Sequence, residues 1–580
     1  MILQALARYY DDLLQQGKIS APGWTKVKIS YALDIGLDGQ LKQVIPTRQD
    51  ETVGKKTVQR PQEMVLPAPI KKTSGASSNF LWENSGYLLG IKQKEEPQRS
   101  LKCFETAREL HHALLDGVDS PNAKAILRFF DSWQPEEAAQ HPMLSGELDE
   151  ITAGGNLVFR IEGTYPQEDS RIREAWDKAR NSSSKDAVKM QCLITGQEDE
   201  IVAVHPSIKG VRDAQSSGAA LVSFNAPAFC SYGHEQNYNA PVGKHAAFAY
   251  TAALNHLLSD RNSVQHIGDT TVVCWAEGAE EAYQNLAQFA LFGQEIPGLT
   301  DNDLRAALKR LANGLPCDDL GVDPKRPFYV LGLAPNAARL SVRFFLHDSF
   351  GKLMKNVNDH YDRMEIVRPS FDKQEILPLW LMLRETVNLN SRDKSPSPAM
   401  AGATVRAVFS GGPYPASLLE AVMLRIRAES SVTRGRAAII KAYYLKNPHS
   451  DCPKEVLTVS LNEASNNPAY ILGRLFSVYE AVQQSANPGI NTTIKDKYFN
   501  SAAAMPASIF PVLNNLYQKH LRKLAPGLRI SYDKQVMELK GALGENYPAR
   551  MTLAQQGAFD LGYYHQTQRR YTKKEDQNNG

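Results

Sequence analysis

Apolar residues recur at two different spacings along the N-terminal part of the chain. In residues 1–16, Leu3, Leu6 and Tyr10 lie three or four positions apart, and this spacing predicts an amphipathic helix. The period then changes to two in VKISYALDI and QLKQVI, which flank Asp38-Gly39. Alternating runs on either side of an Asp-Gly pair predict a β-hairpin with that pair at its turn.

Helical and strand patterns then alternate along the chain. Residues 101–132 predict two helices separated by a turn, and the short apolar runs LVFRIEGTYP, TTVVCWAE, FYVLGL and ARLSVRFFL predict strands. In the last run, Leu340, Val342, Phe344 and Leu346 alternate with polar residues. This alternation predicts a strand whose four apolar side chains share one face.

From about Phe350 onward the hydrophobic spacing is helical. Residues 391–404 are rich in Ser, Pro, Gly and Ala and are predicted to form a linker. Residues 405–455 are predicted as a helical connecting region, and 456–580 hold four helical stretches that predict an up-down bundle. The fold class is therefore predicted as α+β, with residues 1–390 forming a mixed α/β region of antiparallel strands and hairpins, large enough for two subdomains.

The composition is that of a soluble globular protein. Hydrophobic residues make up 42% of the chain and charged residues 22%, and no apolar run is long enough to span a membrane. The first residues carry acidic side chains where a secretory signal needs an apolar core, so a cytoplasmic location is expected. Six scattered cysteines without a CxxC pair argue against a zinc ribbon, an iron-sulfur cluster or a disulfide framework, and no cofactor is expected.

Positive charge is concentrated locally. The net charge is only +3, so any contact with nucleic acid has to be made by a limited part of the surface. Between Thr52 and Lys72, five Lys or Arg residues stand against one Glu. From Val456 to the end of the sequence, fourteen stand against nine acidic residues.

The segment from Leu221 to Leu258 concentrates side-chain amides, hydroxyls and aromatic rings. It begins with LVSF, which has strand character, and ends with a run of helical spacing from His245. The loop between them holds groups that donate and accept hydrogen bonds and tyrosines that can stack, which suits contacts to bases and phosphates. Asn, Ser and Gly also build ordinary turns and helix caps, so a purely structural loop is the alternative.

Motifs of phosphate-binding and hydrolytic enzymes are incomplete in this sequence. The nearest match to GxxxxGK[ST], at Gly243-Lys244, lacks the first glycine and the final Ser or Thr. His347-Asp348 resembles one part of a metal-dependent phosphohydrolase site, and His205, His234 and His256 fall in one region. A metal-dependent nuclease or hydrolase is therefore an alternative to a binding protein.

Seven sequence blocks occur in order along nearly the whole chain. They are the hairpin around Asp38-Gly39, KKTSG through NFLWENSGYLLG, the block from His205 through SFNAPAFCSYGHEQNYNAPVG, FYVLGLAPNAARLSVRF, YPASLLEAVMLRIRAE, NPAYILGRLFSVYEAVQ and FDLGYYHQ. Together they closely resemble the large subunit of the type I-C CRISPR surveillance complex, Cascade.

The resemblance implies a non-catalytic subunit of an antiviral, crRNA-guided complex, beside the subunit that holds the crRNA handle and the backbone subunits. It would read the protospacer-adjacent motif in double-stranded target DNA, promote duplex opening and R-loop formation, hold the non-target strand and dock the helicase-nuclease. In this family the C-terminal domain is also made separately as the small subunit, here from about Val456. Since base pairing with the guide supplies most of the sequence specificity, a near-neutral chain with local basic patches suits this role. A general RNA-binding scaffold is a further alternative.

Three groups of residues are expected to contact DNA. Lysines and hydroxyls that grip phosphate, with asparagines that suit adenine edges, are the candidates for motif recognition: Lys71, Lys72, Thr73, Ser74, Asn79 and Asn84. The candidates for a wedge that opens the duplex come from the polar loop: Asn225, Ser231, Tyr232, Gln236, Tyr238, Asn239 and Lys244. The candidates for the path of the displaced strand are basic: Arg339, Arg343, Arg522 and Lys523.

Overall fold

The chain divides into two compact units. The computed structural model describes residues 1–53, 56–70, 76–181, 187–260, 263–293, 296, 298–392, 394–544 and 547–571. The first unit contains residues 3–205 and 224–252, and the second contains residues 206–223 and 253–580. Antiparallel strands are concentrated in the N-terminal region and helices in the C-terminal part, so the predicted α+β fold class is confirmed.

The first unit mixes short strands with helices. Its helices are α1 Ile2–Gln15, α2 Ser85–Leu88, α3 Pro97–Leu115, α4 Pro121–Ser132, α5 Leu148–Ala153, α6 Ser170–Asn181 and the first part of α7 Lys244–Ser259. Its strands are β1 Trp24–Ile29, β2 Tyr31–Ile35, β3 Leu41–Pro46, β4 Gln49–Val53, β5 Lys56–Arg60, β6 Gln62–Pro67, β7 Trp82–Glu83, β8 Leu157–Ile161, β9 Lys189–Gln191 and β10 Glu198–Glu200.

A four-stranded sheet in the order β3-β2-β8-β7 organises the first unit. Strand β2 pairs antiparallel with β3 and parallel with β8. The predicted hairpin around Asp38-Gly39 is confirmed as the connection between β2 and β3. Gly39 has a φ of +85°, and a Cβ at this position would lie 2.6 Å from the backbone nitrogen of Phe129 in α4. Both the turn and the close approach of α4 therefore require glycine.

The remaining strands of the first unit form two-stranded antiparallel pairs: β1 with β6, β4 with β5, and β9 with β10. The core of this unit packs α3, α4 and α6 against the four-stranded sheet through aromatic side chains such as Phe104, Phe129, Phe130, Phe159 and Trp176. These buried rings give a small α+β unit a large apolar area.

The second unit consists of one sheet and many helices. Its strands are β11 Val264–Ile267, β12 Thr270–Ala276, β13 Pro327–Asn336 and β14 Arg339–Ser349. Its further helices are α8 Glu281–Phe292, α9 Asp301–Ala312, α10 Phe350–Met364, α11 Leu379–Arg384, α12 Pro398–Ser410, α13 Ala416–Glu429, α14 Arg434–Lys446, α15 Pro468–Ala486, α16 Ile494–Ala504, α17 Pro506–Leu521, α18 Pro526–Leu543 and α19 Leu553–Tyr571.

The sheet of the second unit is an antiparallel meander in the order β11-β12-β13-β14. Every residue of β12 is buried, as its apolar run predicts. The simple alternation predicted for β14 is wrong, because the register against β13 shifts between Gly332 and Leu333. Arg343 is the extra residue of this bulge, and Val342 is exposed, unlike Leu340 and Phe344.

Helix α15 is the centre of the C-terminal bundle. All residues from Ala469 to Val482 are buried, so this helix has no solvent face over nearly four turns. A Cβ on Gly473 would lie 2.0 Å from the carbonyl oxygen of Phe559, and one on Gly562 would lie 2.1 Å from that of Tyr470. Two glycines therefore let the backbones of α15 and α19 touch.

Some sequence predictions of secondary structure need correction. The LVSF segment at 221–224 does not form a strand; the preceding Ala219 and Ala220 make isolated bridges to Ile208 and Arg339, and the pairing ends there. The predicted bundle helices correspond to α15, α17, α18 and α19, but α16 is an additional helix. Residues 398–404 of the predicted linker form the first part of α12.

Candidate nucleic-acid interface

The polar loop of the first unit, residues 224–243, presents a tight turn at its tip. The N–H of His234 donates to the carbonyl of Ser231 at 3.0 Å, and the two residues between them both have left-handed backbones, with φ of +54° at Tyr232 and +74° at Gly233. A left-handed backbone is uncommon for a residue with a bulky side chain. The turn therefore holds Tyr232 in a conformation that its surroundings must impose.

Asn239 fixes this turn from within the loop. Its Oδ1 accepts from the backbone N–H of Ser231 at 2.8 Å, and its Nδ2 donates to the carbonyls of His234 at 3.0 Å and Gln236 at 2.9 Å. These three hydrogen bonds use both the donor and the acceptor groups of the Asn239 side-chain amide. The side chain therefore makes the kind of hydrogen bonds that a backbone amide makes in a turn. The predicted role of Asn239 in replacing base contacts therefore gives way to a structural one.

The base of the loop is attached firmly to the rest of the first unit. The backbone N–H of the buried Asn237 donates to the carbonyl of Ala203 at 3.2 Å. Gly243 forms a bridge with Ile201, and a Cβ at Gly243 would collide with the carboxylate of Asp199. These contacts fix both the position and the direction of the exposed tip.

The loop exposes a small set of the residues predicted as a duplex wedge. The Tyr232 side chain is 99% exposed, and Asn225, Ser231 and Gln236 are also exposed. Tyr238 is half-buried. Lys244 is exposed, but its Nζ lies 3.1 Å from Glu200 Oε1, so its charge is partly neutralised. An aromatic ring with no cover, on a turn that is itself held rigidly, can stack on a base.

The two asparagines predicted to read the motif are structural. Asn79 is only 4% exposed; its Oδ1 accepts from the N–H of Ile70 at 3.0 Å and its Nδ2 donates to Glu83 Oε2 at 2.9 Å. Asn84 caps α2 by accepting from the N–H of Gly86 at 3.0 Å and donates to Glu83 Oε1 at 3.0 Å. These amides are engaged within the protein, so neither is available to a base edge in this conformation. The other four candidates, Lys71, Lys72, Thr73 and Ser74, lie outside the described residues.

The predicted strand-path residues all belong to the second unit and differ in their surroundings. Arg343 donates to Asp269 Oδ2 at 2.7 Å, and Arg339 is half-buried. Arg522, just after α17, is exposed, and the neighbouring Lys523 is also exposed, with its Nζ 3.3 Å from Asn487 Oδ1. Arg522 and Lys523 are therefore better placed than Arg339 and Arg343 to contact a phosphate chain, because Arg343 already has a carboxylate partner.

His205 and the His347-Asp348 pair, which were considered for metal binding, are engaged within the protein. His205 is buried, its Nδ1 lies 2.7 Å from the Tyr250 hydroxyl, and burial lowers its pKa to about 4. The His347 ring stacks on Tyr329 with 4.6 Å between ring centres, and Asp348 accepts from the N–H of the next residue. Within the described part of the chain, no group of three or more His, Cys, Asp or Glu side chains is arranged to hold a metal ion.

Comparison with known proteins identifies the family to which the chain belongs. The family described as CRISPR-associated protein (Cas_Csd1) matches the chain over residues 6–571, which is nearly its whole length. The chain belongs to the Cas_Csd1 family. A search of curated proteins found no match. No helix among the described residues of this Cas_Csd1 protein is long and apolar enough to cross a membrane.

Three cations of the Cas_Csd1 chain that look available in the sequence are buried in α14. Arg434 Nη1 lies 2.8 Å from Asp372 Oδ2, Arg436 pairs with Glu385 and Glu429, and Lys441 Nζ donates to the carbonyl of Arg363 at 2.9 Å. Desolvation lowers the pKa of Lys441 to about 8. These charges are engaged with partners inside the second unit, so they are not available to a phosphate chain at its surface.

One candidate element of the Cas_Csd1 chain escaped the sequence analysis. Strands β4 and β5 pair only with each other among the described residues, forming a two-stranded ribbon at the start of the basic segment, with Asp50 and Glu51 in β4 and Lys56 and Arg60 in β5. A ribbon of this size fits the major groove of DNA. The signal was present in the sequence, since Gly54 in TVGKKTV separates two short runs that contain the β-branched residues Thr and Val.

Proposed function

We propose that this chain is the large subunit of a type I-C Cascade, which reads the protospacer-adjacent motif and opens the DNA duplex beside it. The observation that carries the proposal is the fully exposed Tyr232 ring on a left-handed turn that Asn239 holds in place. Membership of the Cas_Csd1 family supports a role in CRISPR defence.

The opening step follows from the energetics of stacking. Separating one base step costs a few kcal/mol, and an aromatic side chain that stacks on a base returns about 1–3 kcal/mol. A mobile loop would lose part of this gain in ordering its backbone. Because the turn around Tyr232 is already ordered by three hydrogen bonds from Asn239, most of the stacking energy is available to stabilise the opened duplex.

The remaining contacts are assigned to fewer residues than the sequence suggested. Lys71, Lys72, Thr73 and Ser74 keep the role of gripping phosphates at the motif, and Asn79 and Asn84 are withdrawn from it. Asn225, Ser231, Gln236 and Tyr238 flank the wedge. Arg522 and Lys523, with Arg339 and Arg343 as weaker contributors, guide the displaced strand.

The proposed partners are those of a guided surveillance complex. They are the crRNA, double-stranded target DNA, the crRNA-handle-binding subunit, the backbone subunits, a small subunit derived from the C-terminal bundle and the helicase-nuclease. The proposal assigns the chain binding and strand separation, with no catalytic step and no cofactor of its own. The base pairing of the guide supplies the sequence specificity beyond the motif.

The test is R-loop formation by the reconstituted crRNA complex carrying Tyr232→Ala. Loss of one stacking contact of about 1–3 kcal/mol should slow duplex opening by roughly 5- to 150-fold. Opening is followed by the fluorescence of 2-aminopurine placed at the first base pair beside the motif. Tyr232→Phe keeps the ring and should behave like the unaltered protein.

A target with a preformed bubble beside the motif provides the control for assembly. It removes the opening step, so the Tyr232→Ala complex should bind it as well as the unaltered complex does. If Tyr232→Ala opens intact duplex at the normal rate, the wedge assignment is wrong. If motif preference persists in a complex without this chain, the large-subunit role itself is wrong.

A further inference from the structure

A small polar cavity lies in the first unit, between β6 and the turn that follows β8. Its volume is about 260 Å³, and its walls come from β6, from the turn Pro166–Glu168 and from α6. The lining residues are Gln62, Met64, Val65, Tyr165, Gln167, Glu168 and Arg173. The cavity is slightly smaller than the pockets that hold drug-sized ligands, so it suits a single planar ring system.

Gln167 is the unusual member of this lining. Its residue is 6% exposed, and its side-chain carbonyl oxygen, Oε1, is buried without a hydrogen-bond partner among the described residues. A buried amide oxygen left unpaired destabilises a fold, so a glutamine at this position is unusual in a purely structural wall. The backbone of Gln167 is held in place, because its carbonyl accepts from Arg173 Nη1 at 3.3 Å.

Arg173 supplies a positioned positive charge beside the same cavity. Its guanidinium lies over the ring of Trp24, 4.3 Å from the ring centre, and Trp24 is fixed in turn by donating to Asp177 Oδ1 at 3.0 Å. A guanidinium restrained on one face by an aromatic ring can still donate from its edge to a phosphate or a base.

The combination fits one class of ligand. The amide of Gln62 can donate and accept along the edge of a flat ring, and Gln167 can donate to that edge from its Nε2. The ring of Tyr165 can stack on the face of the ligand ring, and Arg173 can meet the attached phosphate and offset the Glu168 carboxylate that also lines the cavity. Gln pairs best with adenine, which presents a donor and an acceptor side by side. We propose that this cavity captures one unpaired nucleobase, with adenine preferred, from a strand of the guide RNA or of the opened target DNA.

The choice of strand rests on the proposed function. Strand β6 ends at Pro67, four residues before the predicted phosphate-gripping segment that starts at Lys71, so the cavity and the motif contacts belong to one part of the chain. A base taken into the cavity could not pair again with its partner. Where the captured base belongs to the target DNA, its capture would keep the opened duplex apart.

The first test uses the purified full chain and mononucleotides, and does not depend on any CRISPR activity. Equilibrium dialysis with dAMP, dTMP and AMP should show saturable binding, with dAMP or AMP bound more tightly than dTMP. Gln167→Leu should weaken dAMP binding by about tenfold or more, the value of one good pair of base contacts. Gln62→Met should weaken it as well, and Gln134→Leu, at an exposed glutamine outside the cavity, should not.

Thermal unfolding separates this role from a structural one. Gln167→Leu removes an unpaired buried amide, so it should leave the unfolding temperature unchanged or raise it while binding is lost. If the unaltered chain binds none of the mononucleotides, or if Gln167→Leu and Gln62→Met leave binding intact, the cavity is not a base site, whatever the outcome for the large-subunit role.

The source of the base is identified in the assembled complex. The probe 2-aminopurine is placed in turn at each position near the motif in the guide RNA and in the two DNA strands. One position should change its fluorescence on complex formation and lose that change with Gln167→Leu, and its strand names the source. If no position in any strand responds to Gln167→Leu, the proposed capture is overturned even where dialysis detects mononucleotide binding.

Discussion

Replacing Gly473 by alanine should break the close backbone contact between α15 and α19 in the C-terminal bundle. The new Cβ would lie 2.0 Å from the carbonyl oxygen of Phe559, whereas ordinary contact begins near 3.4 Å. The obstructing atom belongs to the backbone of α19, so no side-chain rotation can relieve the overlap. The two helices would have to separate by more than about 1 Å, in a core packed at crystal density.

The expected destabilisation is about 3 kcal/mol or more. Overpacking a core costs about 1–3 kcal/mol when side chains can shift, and this overlap is backed by rigid backbone. Because every residue from Ala469 to Val482 is buried, separating α15 from α19 would also weaken other contacts of the central helix. Gly541, in α18, is the matched control, since a Cβ there meets nothing within 4 Å. Gly541→Ala should be neutral or stabilise its helix by up to about 1 kcal/mol.

Amide hydrogen exchange followed by mass spectrometry measures the loss of local stability in α15 and α19 within the intact chain. A loss of about 3 kcal/mol corresponds to roughly hundredfold faster exchange in peptides from α15 and α19. Peptides from the sheet of the first unit should keep their exchange rates and serve as an internal reference. Equal exchange in Gly473→Ala and Gly541→Ala would refute the claim that backbone contact between α15 and α19 holds the bundle.

Two further predictions concern the loop and acid stability. Asn239→Ala should speed amide exchange at 231–236 and slow duplex opening as Tyr232→Ala does, without lowering the unfolding temperature; normal opening would contradict the role of the turn. Burial lowers the pKa of four histidines to about 3 or 4: His111, His205, His360 and His565. The unfolded chain protonates these histidines from pH 6.5 downward, whereas the folded chain does not. The free energy of unfolding should therefore fall between pH 6.5 and 4, by up to about 1.4 kcal/mol per pH unit for each histidine. Burial raises the pKa of Asp560, so the folded chain keeps a proton there that the unfolded chain loses, and this one group offsets part of the fall in stability. Unfolding temperatures that stay constant between pH 6.5 and 4 would contradict the prediction.

Local signals predicted the fold where neighbouring residues decide the structure. The hairpin at Asp38-Gly39 follows from turn chemistry and alternation within a few residues, and both are correct. The strand predicted at LVSF is absent because a short apolar run forms a strand only beside a partner strand. Whether pairing continues beyond Ala220 depends on residues far away in the sequence. Helix α16 could have been found, since Thr493 and Asp496 form a capping box at its start.

The site was harder to predict because exposure is a tertiary property. Asn79 and Asn84 have the chemistry to read adenine, but Glu83 between them takes both amides. Asn239 and Tyr232 look equally available in the sequence, and only the fold assigns one to the interior of the turn and the other to its tip. The composition of the loop therefore predicted its character but not the role of each residue.

The burial of α15 on all sides has a consequence for the order of events on the ribosome. The helix begins at Pro468, but α19, which covers it, begins at Leu553, some 85 residues later. At translation rates of about 5–20 residues per second, a helix that is buried on all sides in the folded protein waits roughly 4–17 seconds for α19 to be synthesised. During that interval the nascent chain leaves the apolar side chains of α15 without the helix that covers them in the folded protein. We therefore expect the C-terminal bundle to be the part of this protein whose yield depends most on chaperones.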